Sequence, residues 1–460
     1  MSPLPEQPLS PLDGRYRPVV SALGEHLSEA GLNRARVQVE VEWLLYLTDH
    51  EFFGSTRLDA EQARALRALV ADFGQSDIDE LATLEATTRH DVKAVEYYVR
   101  ARLVALGLTD VAELTHFACT SEDINNLSYA ITIRASVQGI WLPKAHAVVD
   151  ALAERAAAHR AEPMLAHTHG QPATPTTVGK EFAVFVARLR RILAQVEATE
   201  YLGKFSGATG TFAAHVVAGP AIDWPQVSRE FVTSLGLDWN PLTTQIEPHD
   251  WQSELYQRIG HVNRVLHNLC TDIWTYISMG YFTQIPQAGA TGSSTMPHKI
   301  NPIRFENAEA NLELSSALLD SLAATLVTSR LQRDLTDSTT QRNVGVALGH
   351  SLLALDNIQR GLGEIAVNGT ALAADLDANW EVLGEAIQTV VRAEVTAGRS
   401  SIADPYALLK ELTRGRRVGA AELREFIQGL DIGAEAKDRL LALTPAGYIG
   451  LASDLVDYLD

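Results

Sequence analysis

The chain has 460 residues, of which 46% are hydrophobic and 21% are charged, a balance typical of a folded globular protein with several domains. Its formal net charge of −19 argues against nucleic acid or an anionic membrane as a partner, because both are bound by basic surfaces. Two cysteines cannot form a disulfide framework, no apolar run is long enough to predict a membrane span, and residues 1–20 lack a signal-peptide pattern. Together these features predict a cytoplasmic protein.

The first predicted elements are helices. Proline, which breaks helices, is absent from residues 19–142 and again from 303–404, so long helices are permitted there. Residues 37–43 alternate between apolar and polar, as a strand would. We still predict a helix, because the polar positions hold Gln and Glu, which favour helices, and because the apolar run at 44–47 breaks the alternation.

Three later segments, within residues 182–196, 253–278 and 312–326, place apolar residues at steps of three and four. This spacing predicts helices that each bury one face against a neighbour. A helix along most of 253–278 would be roughly 35 Å long, which favours a bundle shared between subunits over a monomeric core or a coiled coil. The sequence therefore predicts an all-α fold with a central bundle of long helices. The predicted domains are 1–111 (N-terminal, helical), 112–362 (the bundle) and 363–460 (C-terminal, helical).

One loop has an unusual composition. Residues 288–301, AGATGSSTMPHKIN, are rich in Gly, Ser and Thr and contain no acidic residue. The glycines allow close backbone approach, Ser293 and Ser294 offer hydroxyls, and Lys299 supplies a positive charge for a carboxylate. The alternative is a generic serine-rich surface loop, since serine beside glycine is common in turns.

The string GSSTMPHKINP at 292–302 resembles the signature loop of the fumarase and aspartase superfamily. Other segments resemble the adenylosuccinate lyase family, in its bacterial long form, and extend the resemblance over essentially the whole chain. These segments are DGRY at 13–16, TRHDVKAVEY at 88–97, HFACTSEDINN at 116–126, THGQPATP at 168–175, TTQIEPHD at 243–250 and SRLQRDLTDST at 329–339.

The resemblance implies a purine-pathway reaction on small nucleotide substrates. Fumarate would be eliminated in the anti sense from adenylosuccinate, giving AMP, and from succinylaminoimidazole carboxamide ribotide, giving the carboxamide ribotide. It also implies a homotetramer with a tetrameric helical core and active sites shared between subunits. No cofactor is expected, and neither nucleic acid nor membrane is expected as a partner.

Such an elimination needs one base and one acid. Ser293 matches the family's base, which takes a proton from the carbon beside a carboxylate, and the adjacent Ser294 is a substrate contact and the alternative base. His169 matches the acid that protonates the departing nitrogen, a role that suits imidazole. A buried structural histidine is one alternative, and a metal site through His167 and His169 is another, although no further ligands occur at compatible spacing.

Three more residues match supporting catalytic groups of the family. His90 would act on the leaving-group side, Lys299 beside the serine base, and Glu306 as the carboxylate that orients His169. For His90 the alternative role is a helix-cap contact.

The remaining family residues would bind substrate. Thr120 and Asp123 fit a capping box, and the free N–H groups of such a helix start suit a succinyl carboxylate. Arginine forks bind phosphate, although Arg333 could instead pair with Asp337 one helical turn away. The implied substrate contacts are Arg15, Tyr16, Arg89, Asp91, Thr120, Ser121, Gln245, Ser294, Asn301, Asn307, Arg333, Ser338 and Arg342.

Two other functions compete with this one. A sister lyase of the superfamily, acting for example on argininosuccinate, would share the signature loop, but it would not need the arginines at 15, 333 and 342 to hold a phosphate. A structural protein of the same fold would not need Ser293, His169 and Lys299.

Overall fold

The computed structural model describes residues 8–287, 296, 299–407, 410 and 418–459. The predicted base, Ser293, and its neighbour Ser294 lie outside the described residues.

Helices make up most of the described chain, which confirms the predicted all-α class. The α-helices are α1 (Arg17–Leu27), α2 (Glu29–Asp49), α3 (Ala60–Ala71), α4 (Gln75–Thr88), α5 (Asp91–Ala105), α6 (Ser121–Ser136), α7 (Leu142–Ala158), α8 (Val178–Glu197), α9 (Ala213–Ala218), α10 (Trp224–Ser234), α11 (Asp250–Ser278), α12 (Ile303–Leu326), α13 (Thr336–Gln341), α14 (Val344–Gly363), α15 (Gly369–Asp377), α16 (Gly384–Thr396), α17 (Ala420–Gln428) and α18 (Ala434–Leu441). A π-helical turn, Val137–Trp141, joins α6 to α7.

The described strands are short and pair two by two. The pairs are β1 (Pro163–Thr168) with β2 (Gln171–Thr177), antiparallel; β3 (Leu202–Gly203) with β4 (Asp238–Trp239), parallel; and β5 (Phe282–Gln284) with β6 (Ile365–Val367), antiparallel. No helix of the described chain combines the length and apolar character that crossing a membrane requires.

The segment with strand-like alternation is helical, as predicted, and forms the middle of α2. Ser28 caps this helix by accepting a hydrogen bond from the Gly31 amide at 3.1 Å. The helix is buried on nearly every side, including the charged residues Arg36 and Glu40. A helix that is enclosed in this way has no single polar stripe, and the amphipathic period is therefore missing from its sequence.

The described chain divides into two compact units. Unit 1 consists of Met1–Ala145, Ile192–His267 and Ala308–Asp356, and unit 2 consists of His146–Arg191, Asn268–Asn307 and Asn357–Asp460. The three-domain division at 111 and 362 follows chain order and stays a prediction.

A bundle of long helices forms part of the core of unit 1. The predicted apolar positions of α11 and α12 are buried there, among them Leu255, Ile259 and Leu319. Polar side chains also link three helices. Asn263 of α11 donates to the Ser315 hydroxyl of α12 at 3.0 Å, Ser315 donates to the Ala347 carbonyl of α14 at 2.8 Å, and Ser351 of α14 donates back to Asn263 at 2.8 Å. Buried networks whose members are all paired fix the register between helices.

Unit 2 contains the β1–β2 hairpin and a C-terminal helical cluster. Buried side chains of α16 and α17, such as Ile387, Val391 and Ile427, pack together in this cluster. Thr174 of β2 donates a short hydrogen bond to Glu385 of α16, and the Tyr448 hydroxyl lies 3.3 Å from the same carboxylate. The hairpin is therefore attached to the C-terminal helices.

Candidate active site

In unit 1, His90 stands at the start of α5. Its Nδ1 atom accepts the Lys93 amide at 3.2 Å, so the predicted cap contact is present. Because Nδ1 accepts there, the proton of the neutral ring belongs on Nε2. The Nε2 atom lies 3.4 Å from the Ser121 hydroxyl. The cap therefore fixes both the orientation of the ring and the nitrogen that it presents.

Ser121 is the first residue of α6. The Asp123 carboxylate reaches back and accepts the Thr120 amide at 2.8 Å, as the predicted capping box requires. The first amides of a helix have no partner within the helix and carry partial positive charge. This end of α6 is therefore suited to receive a carboxylate.

Asp91 connects two arginines. Its Oδ2 atom lies 2.7 Å from the buried Arg36 guanidinium and 3.3 Å from that of Arg342. Burial acts to raise the pKa of Asp91, but the positive charge of Arg36, the Val92 amide and Arg342 outweigh burial and hold the pKa below its usual value. Asp91 is therefore a stable anion next to His90.

Arg333 connects two carboxylates. Its guanidinium lies 2.5 Å from Asp337, the alternative partner foreseen from helical spacing, and 3.0 Å from Glu122 on α6. Burial raises the pKa of Glu122, and the charge of Arg333 opposes that rise. Asp337 also lies 3.1 Å from Nε2 of the buried His249.

The arginines keep donors available for a further anion. Arg342 uses its Nε for Glu29, one terminal nitrogen for Ser338 and the other for Asp91. A guanidinium has five N–H donors. One remains on Arg342, because the terminal nitrogen beside Ser338 contacts both its carbonyl and its hydroxyl, and by the same count three remain on Arg333. Both side chains are partly exposed, at 40% and 19%.

The N-terminal segment of unit 1 contributes to a cleft beside Arg342. This cleft has a volume of about 550 Å³, and Asp13, Arg17 and Arg342 are among its lining residues. The Tyr16 amide donates to a backbone carbonyl at 2.9 Å, and the guanidinium carbon of Arg15 lies 5.9 Å from the centre of the Tyr16 ring. A cleft of this size can admit a nucleotide.

In unit 2, His169 occupies the tip of the β1–β2 hairpin. Thr168 and Gln171 pair across a two-residue turn, in which His169 has φ 53° and Gly170 has φ 72°. Two positive φ values define a type I′ turn, the form that matches the twist of a hairpin. The turn leaves the imidazole exposed.

The other predicted residues of unit 2 lie on either side of the start of α12. Glu306 accepts a hydrogen bond from the Trp274 indole at 3.1 Å, and Asn307 accepts one from Asn357 at 3.0 Å. Lys299 is exposed and Asn301 is partly exposed. No hydrogen bond joins His169 to Lys299 or Glu306 in the part of unit 2 that the structure describes, and the orienting role of Glu306 stays a prediction.

The structure thus brings together one group of predicted residues. Within unit 1, Arg342 contacts Asp91 beside His90, His90 contacts Ser121, and Arg333 contacts Glu122 beside Ser121. Gln245, also in unit 1, donates to the Ala208 carbonyl at 2.9 Å. His169, Lys299 and Glu306 belong to unit 2. Across residues 8–287 and the other described positions, no group of three or more His, Cys, Asp or Glu residues is arranged to hold a metal ion.

Sequence reasoning missed several charged residues that organise this region. Arg36 has no local motif, because its partners Asp91 and Asn125 lie 55 and 89 positions away in the chain. Glu122 and His249 do lie inside the family-like segments, so those segments could have directed attention to them.

Comparisons with known proteins identify the family of this chain. A family model described as Lyase matches residues 14–313, about two-thirds of the chain, so the chain is a member of that lyase class. A second model, described as Adenylosuccinate lyase C-terminal, matches residues 329–449. The adenylosuccinate lyase of Escherichia coli K12 is 49% identical over 98% of both chains, that of Haemophilus influenzae 48% and that of Vibrio cholerae 47%, each over 98% of both chains. The chain therefore belongs to the adenylosuccinate lyase family.

Solved structures share the fold at lower identity. A fumarate lyase from Mesorhizobium sp. BNC1 gives a TM-score of 0.75 at 20% identity and covers 95% of this chain and 97% of its own. A 3-carboxy-cis,cis-muconate lactonizing enzyme from Pseudomonas putida gives 0.74 at 21% identity, over 95% and 96%. At this identity the likeness concerns the fold alone.

Proposed function

We propose that this chain cleaves adenylosuccinate into AMP and fumarate, and succinylaminoimidazole carboxamide ribotide into the carboxamide ribotide and fumarate. Besides the family membership, the observation that carries the proposal is the set of contacts within unit 1. Arg342 contacts Asp91, His90 contacts Ser121, and Arg333 reaches α6 beside Ser121. One region thus contains a histidine, guanidinium groups that can bind a phosphate, and a helix N-terminus that can bind a carboxylate.

The phosphate and the succinyl group, at opposite ends of the substrate, would bind to different residues of this region. Its phosphate would take the remaining N–H donors of Arg333 and Arg342, assisted by Ser338 and by Arg15 and Tyr16 of the N-terminal segment. The succinyl carboxylates would meet Thr120, Ser121 and Gln245. Contacts at the two ends, far from the bond that breaks, hold the substrate in one orientation, and this lowers the entropic barrier of the reaction.

The reaction itself needs two proton transfers. Ser293 would take the proton from the carbon beside a carboxylate, the carbon–nitrogen bond would break with its electron pair staying on nitrogen, and His169 would protonate that nitrogen. His90 would hold the leaving group. Lys299 would favour the deprotonated serine and Glu306 would orient His169, so all chemistry would be done by side chains.

The assembly belongs to the proposal as well. Active sites would be shared between the subunits of a cytoplasmic homotetramer, with three domains in each chain at 1–111, 112–362 and 363–460. Exposed apolar side chains on the long helices, such as Leu314 of α12 and Trp274 of α11, support burial against further copies.

Product analysis tests this function. Purified protein is incubated separately with adenylosuccinate, with the carboxamide ribotide substrate and with argininosuccinate, and the products are quantified. We expect one fumarate for each AMP or carboxamide ribotide formed and no cleavage of argininosuccinate. Cleavage of argininosuccinate alone would identify a sister lyase, and inactivity towards all three would favour a structural protein.

A further inference from the structure

We propose that Lys204 is a positioning residue for the dicarboxylate half of the active site. The proposal rests on the proposed function, because it concerns where the succinyl group and the product fumarate bind. Lys204 does not touch the expected substrate position itself. It acts through Asp123 and through the loop 204–210, which leads towards the segment that holds Gln245.

Lys204 is completely buried, and its partners hold it from several directions. Its ammonium lies 2.8 Å from Asp123, which is also completely buried, and donates to the Gly207 carbonyl at 2.9 Å. Asn126 of α6 accepts the Lys204 amide at 2.8 Å and donates to the Lys204 carbonyl at 3.0 Å. Main chain and side chain of this one residue are thus both fixed to α6.

Asp123 connects Lys204 to the first residues of α6. Besides Lys204, its carboxylate accepts the amides of Thr120 at 2.8 Å, Ser206 at 2.9 Å and Gly207 at 3.1 Å. The residue that closes the cap at Thr120 therefore also binds the loop. Removing one partner of a buried ion pair leaves an uncompensated charge, so Asp123 can keep this geometry only while Lys204 balances it.

The far end of the loop lies against the segment of Gln245. The Ala208 carbonyl accepts a hydrogen bond from the side-chain amide of Gln245. A Cβ atom on Gly210 would lie only 2.2 Å from the Thr243 carbonyl oxygen. Gly210 also has φ +75°, so only glycine fits this close approach without strain. The loop thus links the position of Lys204 to Thr120 and to Gln245, two of the three residues that we propose contact the succinyl group.

The phosphate half depends less on this loop. Arg342 is held by Asp91, Glu29 and Ser338, away from Lys204. Arg333 contacts Glu122 on α6, but it is also held by Asp337. Loss of Lys204 should therefore weaken binding of the dicarboxylate product more than binding of the nucleotide product. A residue that only supported the fold would weaken both alike.

The experiment compares two product-inhibition constants in one variant. Lys204→Met is assayed with adenylosuccinate, and inhibition by fumarate and by AMP is measured separately. The matched control is Lys144→Met, which also removes an ion pair of unit 1, the 2.9 Å contact with Asp356. If Lys204→Met folds poorly, the double variant Lys204→Met with Asp123→Asn removes both buried charges. Its single amide oxygen can still accept some of the backbone N–H groups that Asp123 binds through two oxygens.

We expect inhibition by fumarate to weaken about tenfold or more, because charge-assisted contacts to a carboxylate depend on donor position, while inhibition by AMP changes less than about twofold. Lys144→Met should leave both constants unchanged. Equal weakening of both products in a folded variant, or no change in either, would overturn the proposal. Wild-type protein that cleaves no adenylosuccinate would instead contradict the proposed function.

Discussion

The Nε2 atom of His90 lies 3.4 Å from the hydroxyl oxygen of Ser121, 31 positions away in the chain. His90 caps α5 and Ser121 begins α6, so the N-termini of two helices meet at this contact. Each terminus contributes partial positive charge, and the histidine ring lies between them. Anions bind readily at such places, which explains why this corner of unit 1 suits a substrate with several negative charges.

The two roles of His90 can be separated by substitution. Asparagine is a good N-cap residue but has no ring, whereas alanine removes both functions. We expect His90→Asn to keep the stability of the wild type and to lose turnover by roughly 10²- to 10³-fold, as when an acid–base group is removed. His90→Ala should lose the same turnover and also about 1 kcal/mol of unfolding free energy. Steady-state kinetics measures the loss of turnover, and urea unfolding measures the loss of stability. Near-normal turnover in His90→Asn would show that His90 only caps α5 and takes no part in the reaction.

Arg333 should report on the phosphate. Arg333→Ala should raise the Michaelis constant for adenylosuccinate by roughly 30- to 160-fold, because a charge-assisted fork contributes about 2 to 3 kcal/mol. A substrate analogue without the phosphate should be affected far less. The matched control is Arg330→Ala, which removes an exposed arginine that pairs, like Arg333, with an aspartate four positions later, Asp334. If the analogue loses as much as the nucleotide, the main role of Arg333 is to neutralise Glu122 and Asp337.

A pH-dependent contribution to stability is expected from His116. Its Nδ1 lies 2.6 Å from the completely buried Glu40, whose other oxygen accepts the His116 amide at 3.0 Å. Burial alone would lower the pKa of His116, but the hydrogen bond and the charge of Glu40 outweigh burial, so the pKa lies above its usual value. Stabilisation from a raised pKa is complete below the unfolded value of about 6.5 and is lost as the pH rises through the folded value.

The free energy of unfolding should therefore differ most between wild type and His116→Gln at pH 6, and less at pH 9. Guanidinium unfolding at both values measures this difference. His50→Gln, a change at an exposed histidine whose ring contacts the Tyr46 carbonyl and neighbouring rings, is the control. A difference of the same size at both pH values would show that His116 contributes packing and neutral hydrogen bonds but no charge.

The sequence predictions that the structure confirms depend on patterns among residues close together in the chain. The apolar positions of α11 and α12 are buried because helical spacing alone places them on one face, and the contact of Asp123 with Thr120 depends only on residues three apart. The class of fold and the family-like segments could therefore be recognised without coordinates.

Long-range partners could not be predicted in the same way. Asn126 and Asp123 hold Lys204 across about 80 positions, and no spacing rule connects them. Glu306 accepts a hydrogen bond from Trp274, 32 positions earlier, a contact that no sequence pattern indicated. Contacts of this kind depend on how the helices pack. The apolar face of a helix can be predicted from one sequence, but the polar residues that it contacts on other elements cannot.

The most direct test of a lyase with shared active sites is adenylosuccinate cleavage by mixed oligomers of two inactive variants. His169→Ala and Ser293→Ala chains are unfolded and reassembled together in equal amounts, and the same mixture without unfolding controls for contamination. If acid and base come from different subunits, random assembly leaves about a quarter of the sites intact in a closed symmetric oligomer, so activity should recover to at most roughly 25% of wild type. Mixed oligomers confirmed by mass that cleave no faster than the separate variants would contradict active sites shared between subunits.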